Sequence, residues 1–348
     1  MIHELSIAIV PPPQRQPEKS AQPMDVDIVS SVDHLQWDNL LSEEPHSTFF
    51  HTLEWSDTLE RALSGWSRFF IVGTVDGRVV AGLPAMKYSK RGFYAIMSMP
   101  FGTHGGPLVG DAAPQMAGED LSQRFFDEAT STKRVAYAEL VDLPSRVNPS
   151  AESGIRSIED ETQVLELGLD YDELYGGFKP ANRNKIRKAQ KAGVTVRQGR
   201  RRDDFLRYNS ILLDCSKNWG GRVRFGEKFF DALSEIDNGS VQLWLAEYNK
   251  TAVAGLLNFA HNGMVMNWGA VMMHDSRSLS PMNLLHSEAI RDAVDNGFSK
   301  YSFGSSAGFK GVDKFKTTFG TTRATYYHHV LQKKWFSVLK RWSRRRRS

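Results

Sequence analysis

The sequence predicts an α/β protein built from two similar halves, and three observations support this prediction. The chain has 348 residues, of which 41% are hydrophobic, so two domains of ordinary size can each bury a core. Both halves show helices, then alternating strands, then a helix and a further strand. The segments TVDGRVVAGLP and EYNKTAVAGLL each place a turn before Val-Ala-Gly-Leu. These patterns indicate an internal duplication, with chance similarity of two short strands as the alternative.

The first half begins with a helix capped by Asp33, because an aspartate ahead of an apolar-periodic segment accepts from the first free amides. Two alternating segments joined by Asp76-Gly77 predict a β-hairpin. The predicted elements are helices at 30–45 and 49–65, strands within 68–90, a strand running into a glycine-rich loop at 94–110, a helix at 118–132 and a strand at 133–143.

The second half repeats this order. Turns at Asn249-Lys250 and Asn262-Gly263 divide an antiparallel meander, and a helix follows with proline in its first turn and glycine after its end. The predicted elements are helices at 180–192, 203–219 and 226–237, the meander at 241–271, a helix at 280–297 and a strand at 300–305. The segment GVDKFKTTFG, residues 311–320, alternates like a strand, which would send Lys314 and Lys316 to one face and Phe315 to the other.

Charge is distributed unevenly along the chain. The net charge is only +4, but residues 179–202 carry ten basic residues without an acid, and residues 333–348 carry eight without an acid. Local basic patches of this kind indicate anionic partners. The single cysteine, Cys215, excludes an intramolecular disulfide and a cysteine-rich metal site, and no histidine spacing predicts a metal site.

The two ends of the chain read as peripheral segments. Residues 1–24 predict a disordered leader because three prolines follow a short apolar patch. Residues 331–348 predict a basic amphipathic tail whose apolar side faces a membrane interface and whose arginines contact anionic lipid. The apolar residues of this tail are Trp335, Phe336, Leu339 and Trp342. Nucleic-acid binding and a plain solvated tail are the alternatives.

Four stretches resemble the FemAB and BioF2-like family of tandem GNAT-fold transferases: FFHTLEW, PFGTHGGPLVG, PANRNKIRKAQKAGVTV, and the run from SPMNLLHSEAIRDAVDNG through FGSSAGFKGVDKFKTTFG. They occur in the family's order over residues 49–320. The resemblance implies two GNAT-like domains, at 25–165 and 166–330, with mixed, largely antiparallel sheets flanked by helices.

The resemblance also implies transfer of an acyl or aminoacyl group onto an amine. The expected acceptor is a small or lipid-linked amine of a cell-envelope or exopolysaccharide precursor, such as a peptidoglycan precursor. The expected donor is aminoacyl-tRNA or an acyl-CoA, with no permanently bound cofactor. We expect a cytoplasmic protein that contacts the inner face of the membrane peripherally through residues 333–348.

The chain departs from the family pattern at two places. The coenzyme-A-binding turn of GNAT domains has glycines at a helix N-terminus, but here Arg277 is followed by Ser280, Pro281 and Met282. This makes an acyl-CoA donor the less favoured choice. The acidic residue of the family's last strand is replaced by Ser302.

Candidate site residues come from the resemblance and from local patterns. By resemblance, Lys316 stabilises charge on the reacting carbonyl and Phe315 packs or stacks beside the donor. The strand alternation directs Lys314 toward the anionic donor as well. The further predicted substrate-binding residues are His104, Gly105 and Gly106 in the glycine-rich loop, Arg183 and Arg187 on one helix face with Lys191, Asn267 and Trp268 in the meander, Arg277 and Ser302.

Two other functions remain open at this stage. The first is an acetyl-CoA-dependent N-acetyltransferase, which coenzyme A binding would reveal. The second is a non-catalytic RNA- or membrane-binding protein on a degenerate transferase fold, to which the basic stretches are equally suited.

Overall fold

The computed structural model describes residues 23–131, 133–143, 147, 154–168, 170–218 and 225–333. Most of the predicted leader and the tail from residue 334 onward lie outside these residues, so their predicted roles stay predictions. In the described part of the chain, no helix is both long enough and apolar enough to cross a membrane.

Nine α-helices are present among the described residues. They are α1 (His34–Glu43), α2 (Leu53–Ala62), α3 (Ala117–Thr130), α4 (Tyr171–Gly177), α5 (Pro180–Lys191), α6 (Arg202–Asn218), α7 (Glu227–Ser234), α8 (Pro281–Asp295) and α9 (Lys310–Lys316). Short 3₁₀ turns lie at Phe49–His51, His274–Leu279 and Thr317–Phe319.

The strands of the described residues form one thirteen-stranded sheet. They are β1 (Asp25–Val29), β2 (Trp66–Val75), β3 (Arg78–Lys90), β4 (Phe93–Met97), β5 (Leu108–Val109), β6 (Val135–Asp142), β7 (Arg156–Glu166), β8 (Thr195–Gly199), β9 (Val241–Tyr248), β10 (Thr251–His261), β11 (Met264–Met272), β12 (Lys300–Ser305) and β13 (Thr322–Gln332). The order across the sheet is β1-β2-β3-β4-β6-β13-β7-β12-β11-β10-β9-β8, with β5 beside β3.

The sheet is symmetric about its centre. Reading inward from either edge gives four antiparallel strands and then a parallel pair, β4 with β6 in the first half and β11 with β12 in the second. The two central strands are exchanged between the halves. β7 follows the first half in sequence but pairs with β12 of the second half. β13 is the last strand of the described residues but pairs with β6 of the first half. Two GNAT-like halves therefore share one continuous sheet, and strand pairing crosses the predicted division at residue 165.

Most elements with strong periodicity agree with the sequence prediction. The Asp33 carboxylate caps α1 by accepting from the Gln36 amide at 2.9 Å. The hairpin turns at Asp76, Asn249 and Asn262 all have positive φ, the conformation that aspartate and asparagine tolerate best among non-glycine residues. The prediction had no strand at β1, β5, β7, β8 or β13.

The strand predicted for residues 311–320 is wrong. Residues 310–316 form the helix α9, and a 3₁₀ turn follows and ends at Gly320, whose φ of 82° is left-handed. The apolar residues Phe315 and Phe319 are four apart and pack together on the core at 5.4 Å between ring centroids, which is helical rather than strand spacing. Lys314 and Lys316 therefore do not share a face: Lys314 is exposed and Lys316 is buried.

An aromatic cluster joins the two halves. Phe49 and Trp55, from the start of the first half, pack on Phe259 of β10 at 4.7 and 5.3 Å between ring centroids. Trp268 of β11 closes the cluster against Trp55 at 6.1 Å. Burial of rings of this size accounts for much of the stability of such a core, at about 1.5–3 kcal/mol for each large side chain.

Candidate active site

A cleft of about 990 Å³ opens where the parallel pair of the second half comes apart. The hydrogen-bonded register of β11 with β12 runs from Met264 opposite Lys300 to Met266 opposite Ser302 and then stops. Beyond that point β11 lines the cleft with Asn267 and its C-terminal residues. Two strands that part in this way leave room between them for an extended ligand.

Asn267 stands at the point where the strands separate. Its Nδ2 donates to Oδ1 of Asn258 at 2.8 Å and to the carbonyl of Gly269 at 3.3 Å. Asn258 lies at a register shift in β10, so a bulge holds this polar pair. The predicted site residue Asn267 is therefore a wall of the cleft.

The N-terminus of α8 forms another wall, with Arg277, Ser280 and Asn283 facing the cleft. Ser280 has φ 59° and ψ 40°, the left-handed conformation that glycine favours, so the backbone adopts a glycine-type turn without the glycine. The Asn283 side chain donates to Asn182 of α5 at 2.8 Å, which ties the two helices together. A helix N-terminus with an arginine beside it is suited to phosphate groups.

The lining of the cleft is strongly basic. The lysine, arginine and histidine side chains that line it are Lys185, Lys188, His274, Arg277, His286, Lys310, Lys314 and Lys316. Asp214 is the single acid among the lining residues. In the part of the chain that the structure describes, no group of three or more His, Cys, Asp or Glu side chains could hold a metal ion. The cleft is thus suited to an anionic organic ligand.

Lys316 forms the buried cationic end of the cleft and is only 6% exposed. Its Nζ donates to the carbonyl oxygens of Gly304 and Ser305, at 2.7 and 2.9 Å. Burial lowers the pKa of Lys316 to about 8, although the charges of Asp313 and Asp160 oppose that change. Because an ammonium has three N–H donors, these two bonds leave one for a ligand.

Aromatic rings surround His286 beside Lys316. The His286 ring lies 4.8 Å from Phe303 and 5.6 Å from Phe315, and its Nδ1 is 3.1 Å from the Tyr301 hydroxyl. Burial, with a smaller effect of the Lys316 charge, lowers the pKa of His286 to about 3, so the imidazole is neutral. Phe315 therefore packs against the histidine rather than standing on a strand face opposite the lysines.

The first-half loop residues lie away from the cleft. His104 is 4% exposed, and its ring lies 4.8 Å from the Tyr326 ring. Burial, followed by the charge of His328, lowers the pKa of His104 to about 4. A Cβ added at Gly105 would lie 2.8 Å from backbone atoms of Ser98, so this glycine is required by close packing. The structure brings His104, Gly105 and Gly106 together with each other but not with Lys316.

Four other predicted site residues also lie outside the cleft lining. Trp268 packs in the aromatic cluster between the halves, and buried Ser302 contacts the Thr162 hydroxyl at 3.1 Å. Arg183 donates to the carbonyls of Gly176 and Phe178 at the end of α4, and Arg187 is exposed on α5. The cleft instead takes Lys185 and Lys188 from the adjacent face of α5.

Sequence reasoning missed Lys185, Lys188, Asn283 and His286. A signal for two of them was present: Asn283 and His286 are polar residues three apart on the mostly apolar buried face of α8. Polar residues on a buried helix face need partners or ligands. For the lysines no such signal existed, because basic residues surround almost the whole exposed surface of α5.

Comparison with known proteins agrees with this geometry. A profile of the family described as Acetyltransferase (GNAT) domain matches residues 180–317, the part of the chain that contains the cleft. No curated protein gives a significant match.

Three solved structures share the fold over most of the chain. The crystal structure of FemX is similar with a TM-score of 0.64 and 14% identity, covering 86% of this chain and 96% of FemX. A tandem GNAT protein from the clavulanic acid biosynthesis pathway has a TM-score of 0.58 and 12% identity, with 88% and 98% covered. The C-terminal domain of a putative lysylphosphatidylglycerol synthetase from Agrobacterium fabrum has a TM-score of 0.52 and 16% identity, with 74% and 83% covered.

The family match confirms the predicted acyltransferase, and the structural matches confirm the predicted tandem arrangement. This chain is therefore an acyltransferase with the tandem GNAT fold, and the acetyltransferase (GNAT) profile matches within its second half.

Proposed function

We propose that this protein transfers an aminoacyl or acyl group from an anionic donor in the cleft onto an amine of a cell-envelope or exopolysaccharide precursor. The observation that carries the proposal is the buried Lys316 ammonium at the end of a basic cleft between parted strands. The acceptor class rests on the sequence resemblance to the FemAB group. FemX and the lysylphosphatidylglycerol synthetase domain are similar to the chain in fold, which is compatible with aminoacyl transfer.

The cleft provides one group for each part of such a donor. Phosphates bind at the start of α8 beside Arg277, and the lysines of α5 add charge around them. The activated carbonyl lies toward Lys316, whose remaining N–H donates to the carbonyl oxygen. As the acceptor amine forms the C–N bond, negative charge develops on that oxygen, and the ammonium stabilises it. The bond from the carbonyl carbon to the donor oxygen or sulfur then breaks.

Positioning of the two substrates and exclusion of water account for the rest of the catalysis. Phe303 and Phe315 pack on Phe319 near Lys316, and the lysine is only 6% exposed, so little water screens its charge and its electrostatic effect is stronger. Because the protein holds the donor and the acceptor side by side in the correct orientation, a bimolecular reaction becomes effectively unimolecular. A recognisable nucleophile is not required for direct transfer to an amine.

We favour aminoacyl-tRNA over acyl-CoA as the donor. The first residue of α8 is Pro281, which has no N–H to offer a pyrophosphate, and serine replaces glycine before it. The basic lining extends beyond the α8 terminus to α5 and α9, which suits a polyanion larger than one pyrophosphate. The proposal places the reaction at the inner membrane face, because residues 333–348 combine eight basic residues with an apolar side.

An acetyl-CoA-dependent N-acetyltransferase is the second candidate. The left-handed turn at Ser280 and the GNAT family match over the cleft both favour it. Because its phosphates would use the same α8 terminus, only the chemistry of the donor separates the two functions.

The two donors can be separated by direct assay. Purified protein is incubated with a membrane extract and with either a mixture of radiolabelled aminoacyl-tRNAs or radiolabelled acetyl-CoA, and acylated amines are identified by mass spectrometry. We expect transfer from aminoacyl-tRNA that the Lys316→Met variant loses. Transfer from acetyl-CoA alone would establish the second candidate. Consumption of neither donor above the rate of the variant would contradict both and leave a binding protein.

A further inference from the structure

Three titratable side chains meet on one face of the central strands, outside the cleft lining. Glu139 on β6, His328 on β13 and Asp160 on β7 come from three different strands that are neighbours in the sheet. His328 Nδ1 is 2.8 Å from Oε1 of Glu139, and His328 Nε2 is 3.7 Å from Oδ2 of Asp160. The three side chains are between 18% and 34% exposed, so a ligand can reach them.

The short contact fixes the tautomer of His328. A carboxylate only accepts hydrogen bonds, so Nδ1 carries the proton that it donates to Glu139, and Nε2 of the neutral ring is left as an acceptor. The 3.7 Å from Nε2 to Asp160 is too long for a hydrogen bond and leaves a gap between a base and a carboxylate. A carboxylate that orients a histidine in this way is a recurring arrangement for proton removal.

Asp160 connects this cluster to the catalytic lysine. Its Oδ2 accepts from the Tyr326 hydroxyl at 2.7 Å and from the Ser305 hydroxyl at 2.8 Å. The carbonyl of the same Ser305 accepts from Lys316 Nζ at 2.9 Å. Ser305 at the end of β12 thus links Asp160 to the group that we place on the acyl oxygen.

A buried group in the cluster lacks a partner. His104 is 96% buried, its ring lies edge-on to Tyr326 at 4.8 Å, and its Nδ1 makes no hydrogen bond with any described residue. Asp160 and His328 both act electrostatically on this ring. A buried polar atom without a partner near His328, Tyr326 and Asp160 marks a place for a ligand group.

We propose that Glu139, His328 and Asp160 form the acceptor site, in which Asp160 binds the ammonium of a primary amine and His328, oriented by Glu139, removes its proton. This inference rests on the proposed transfer to an amine. It places the acceptor on the face of the central strands and the donor in the cleft, with Lys316 and the end of β12 between them.

The proton and bond changes balance without another reactant. The acceptor R–NH₃⁺ transfers one proton to Nε2 of neutral His328, and the resulting amine forms the C–N bond. The carbonyl carbon releases the donor oxygen or sulfur, which takes the second amine proton. Protonated His328 returns its proton to solvent, to which its side chain is 18% exposed.

The electrostatic surroundings of His328 set the pH dependence. The groups that interact with it are Glu139 on β6, Asp160 on β7, Tyr326 and His329 on β13 and His104 in the first-half loop, with Tyr137 acting through Glu139 and Lys316 through Asp160. Its hydrogen bond to Glu139 is the largest cause that raises the pKa of His328. Transfer therefore increases with pH as His328 loses its proton, and decreases again as Lys316, with a pKa of about 8, loses its own.

The amine site can be tested without any donor. Protein labelled with ¹³C at histidine Cε1 is titrated with n-butylammonium chloride, with n-butanol as the neutral control, and the His328→Gln spectrum assigns the signal. We expect n-butylammonium to shift the His328 signal saturably and to lower its pKa, and Asp160→Asn to abolish both effects. A response no larger than that to n-butanol would overturn the proposal. Thermal melting checks that each variant folds, and Glu139→Gln replaces Asp160→Asn if that variant does not.

Steady-state kinetics with the donor established above complete the test. We expect Asp160→Asn to raise KM for the acceptor and His328→Gln to lower kcat by about 100-fold with loss of the rising limb of the pH profile. Glu159→Gln, on the same strand as Asp160 but outside the cluster, is the matched control and keeps wild-type values. Wild-type kinetics in His328→Gln would refute the inference while leaving the proposed function intact. Amine binding by NMR without transfer from any donor would instead refute the proposed function alone.

Discussion

The two halves of the sheet repeat the same parallel strand pair, but only the second half leaves it open. In the first half the pairing of β4 with β6 reaches Met97 opposite Glu139, and Ser98 continues it by donating its amide to the Glu139 carbonyl at 2.8 Å. The Ser98 hydroxyl also accepts from the Val141 amide at 2.9 Å. In the second half the equivalent pairing stops at Met266 and Ser302, and Asn267 turns to its neighbours in β10 and β11.

The space that is a cleft in the second half is packed with side chains in the first. Met99, Thr103 and His104 of the glycine-rich loop are 4% exposed or less. A duplicated fold therefore carries one half whose parallel strands are closed by packing and one half whose parted strands hold the chemistry. Gly105 of this loop serves close approach to the Ser98 backbone.

The largest effect is expected at the open pair, from Lys316→Met. Methionine fills a similar volume but carries no charge, so the acyl oxygen loses its cation and turnover falls by about 10²–10³-fold. The measurement is single-turnover transfer from the donor, with thermal melting to confirm folding. Lys228→Met, on the exposed side of α7, is the control and keeps its activity. Unchanged turnover in Lys316→Met would remove the lysine from the mechanism. It would also contradict the assignment of the chemistry to the open strand pair of the second half.

The next effect tests whether the first half is closed by packing. Gly105→Ala would put a methyl group 2.8 Å from the Ser98 backbone, so we expect the free energy of unfolding to fall by about 1–3 kcal/mol. Binding of the donor per folded molecule stays close to wild type, because no residue of the cleft lining is changed. Gly176→Ala in α4 has no atom within 4 Å of the new methyl group and serves as the control, with equal or slightly higher stability. Denaturant titration measures both variants, and a stable but inactive Gly105→Ala would indicate a ligand loop instead.

The elements that could be predicted are those whose sequence pattern is local. The hairpin turns and the helix cap at Asp33 depend on a few neighbouring residues, and the structure confirms them. The missed strands β7 and β13 are polar and partly exposed, and each gains its partners from distant parts of the chain, so no local window identifies them. Residues 311–320 were misread because a short alternating segment fits a strand as well as one helical turn.

For the site, residue type could be predicted better than position. Lys316 and Arg277, which the resemblance located relative to nearby motifs, both line the cleft, and their roles there stay predictions. On α5 the prediction chose Arg183 and Arg187, whereas the cleft takes Lys185 and Lys188. The buried residues Ile186 and Ala189 fix which side of α5 faces the core, but only the contact of α5 with α8 decides which flank borders the cleft.

The smallest effect is expected from the two lysines on the side of α5 that borders the cleft. Lys185 and Lys188 are exposed lysines at the cleft, so each contributes about 0.3–1 kcal/mol to the binding of an anionic donor, by analogy with exposed ion pairs. The double change Lys185→Ala with Lys188→Ala should raise the donor dissociation constant by roughly 3–30-fold at low salt, and less at high salt because ions screen exposed charges. Filter binding of donor at several salt concentrations measures this effect. Arg187→Ala removes a charge from the same helix outside the cleft and should change binding less. Equal losses of donor affinity in both variants would mean that the donor binds to all the positive charges of α5. The open strand pair would then not determine where the donor binds.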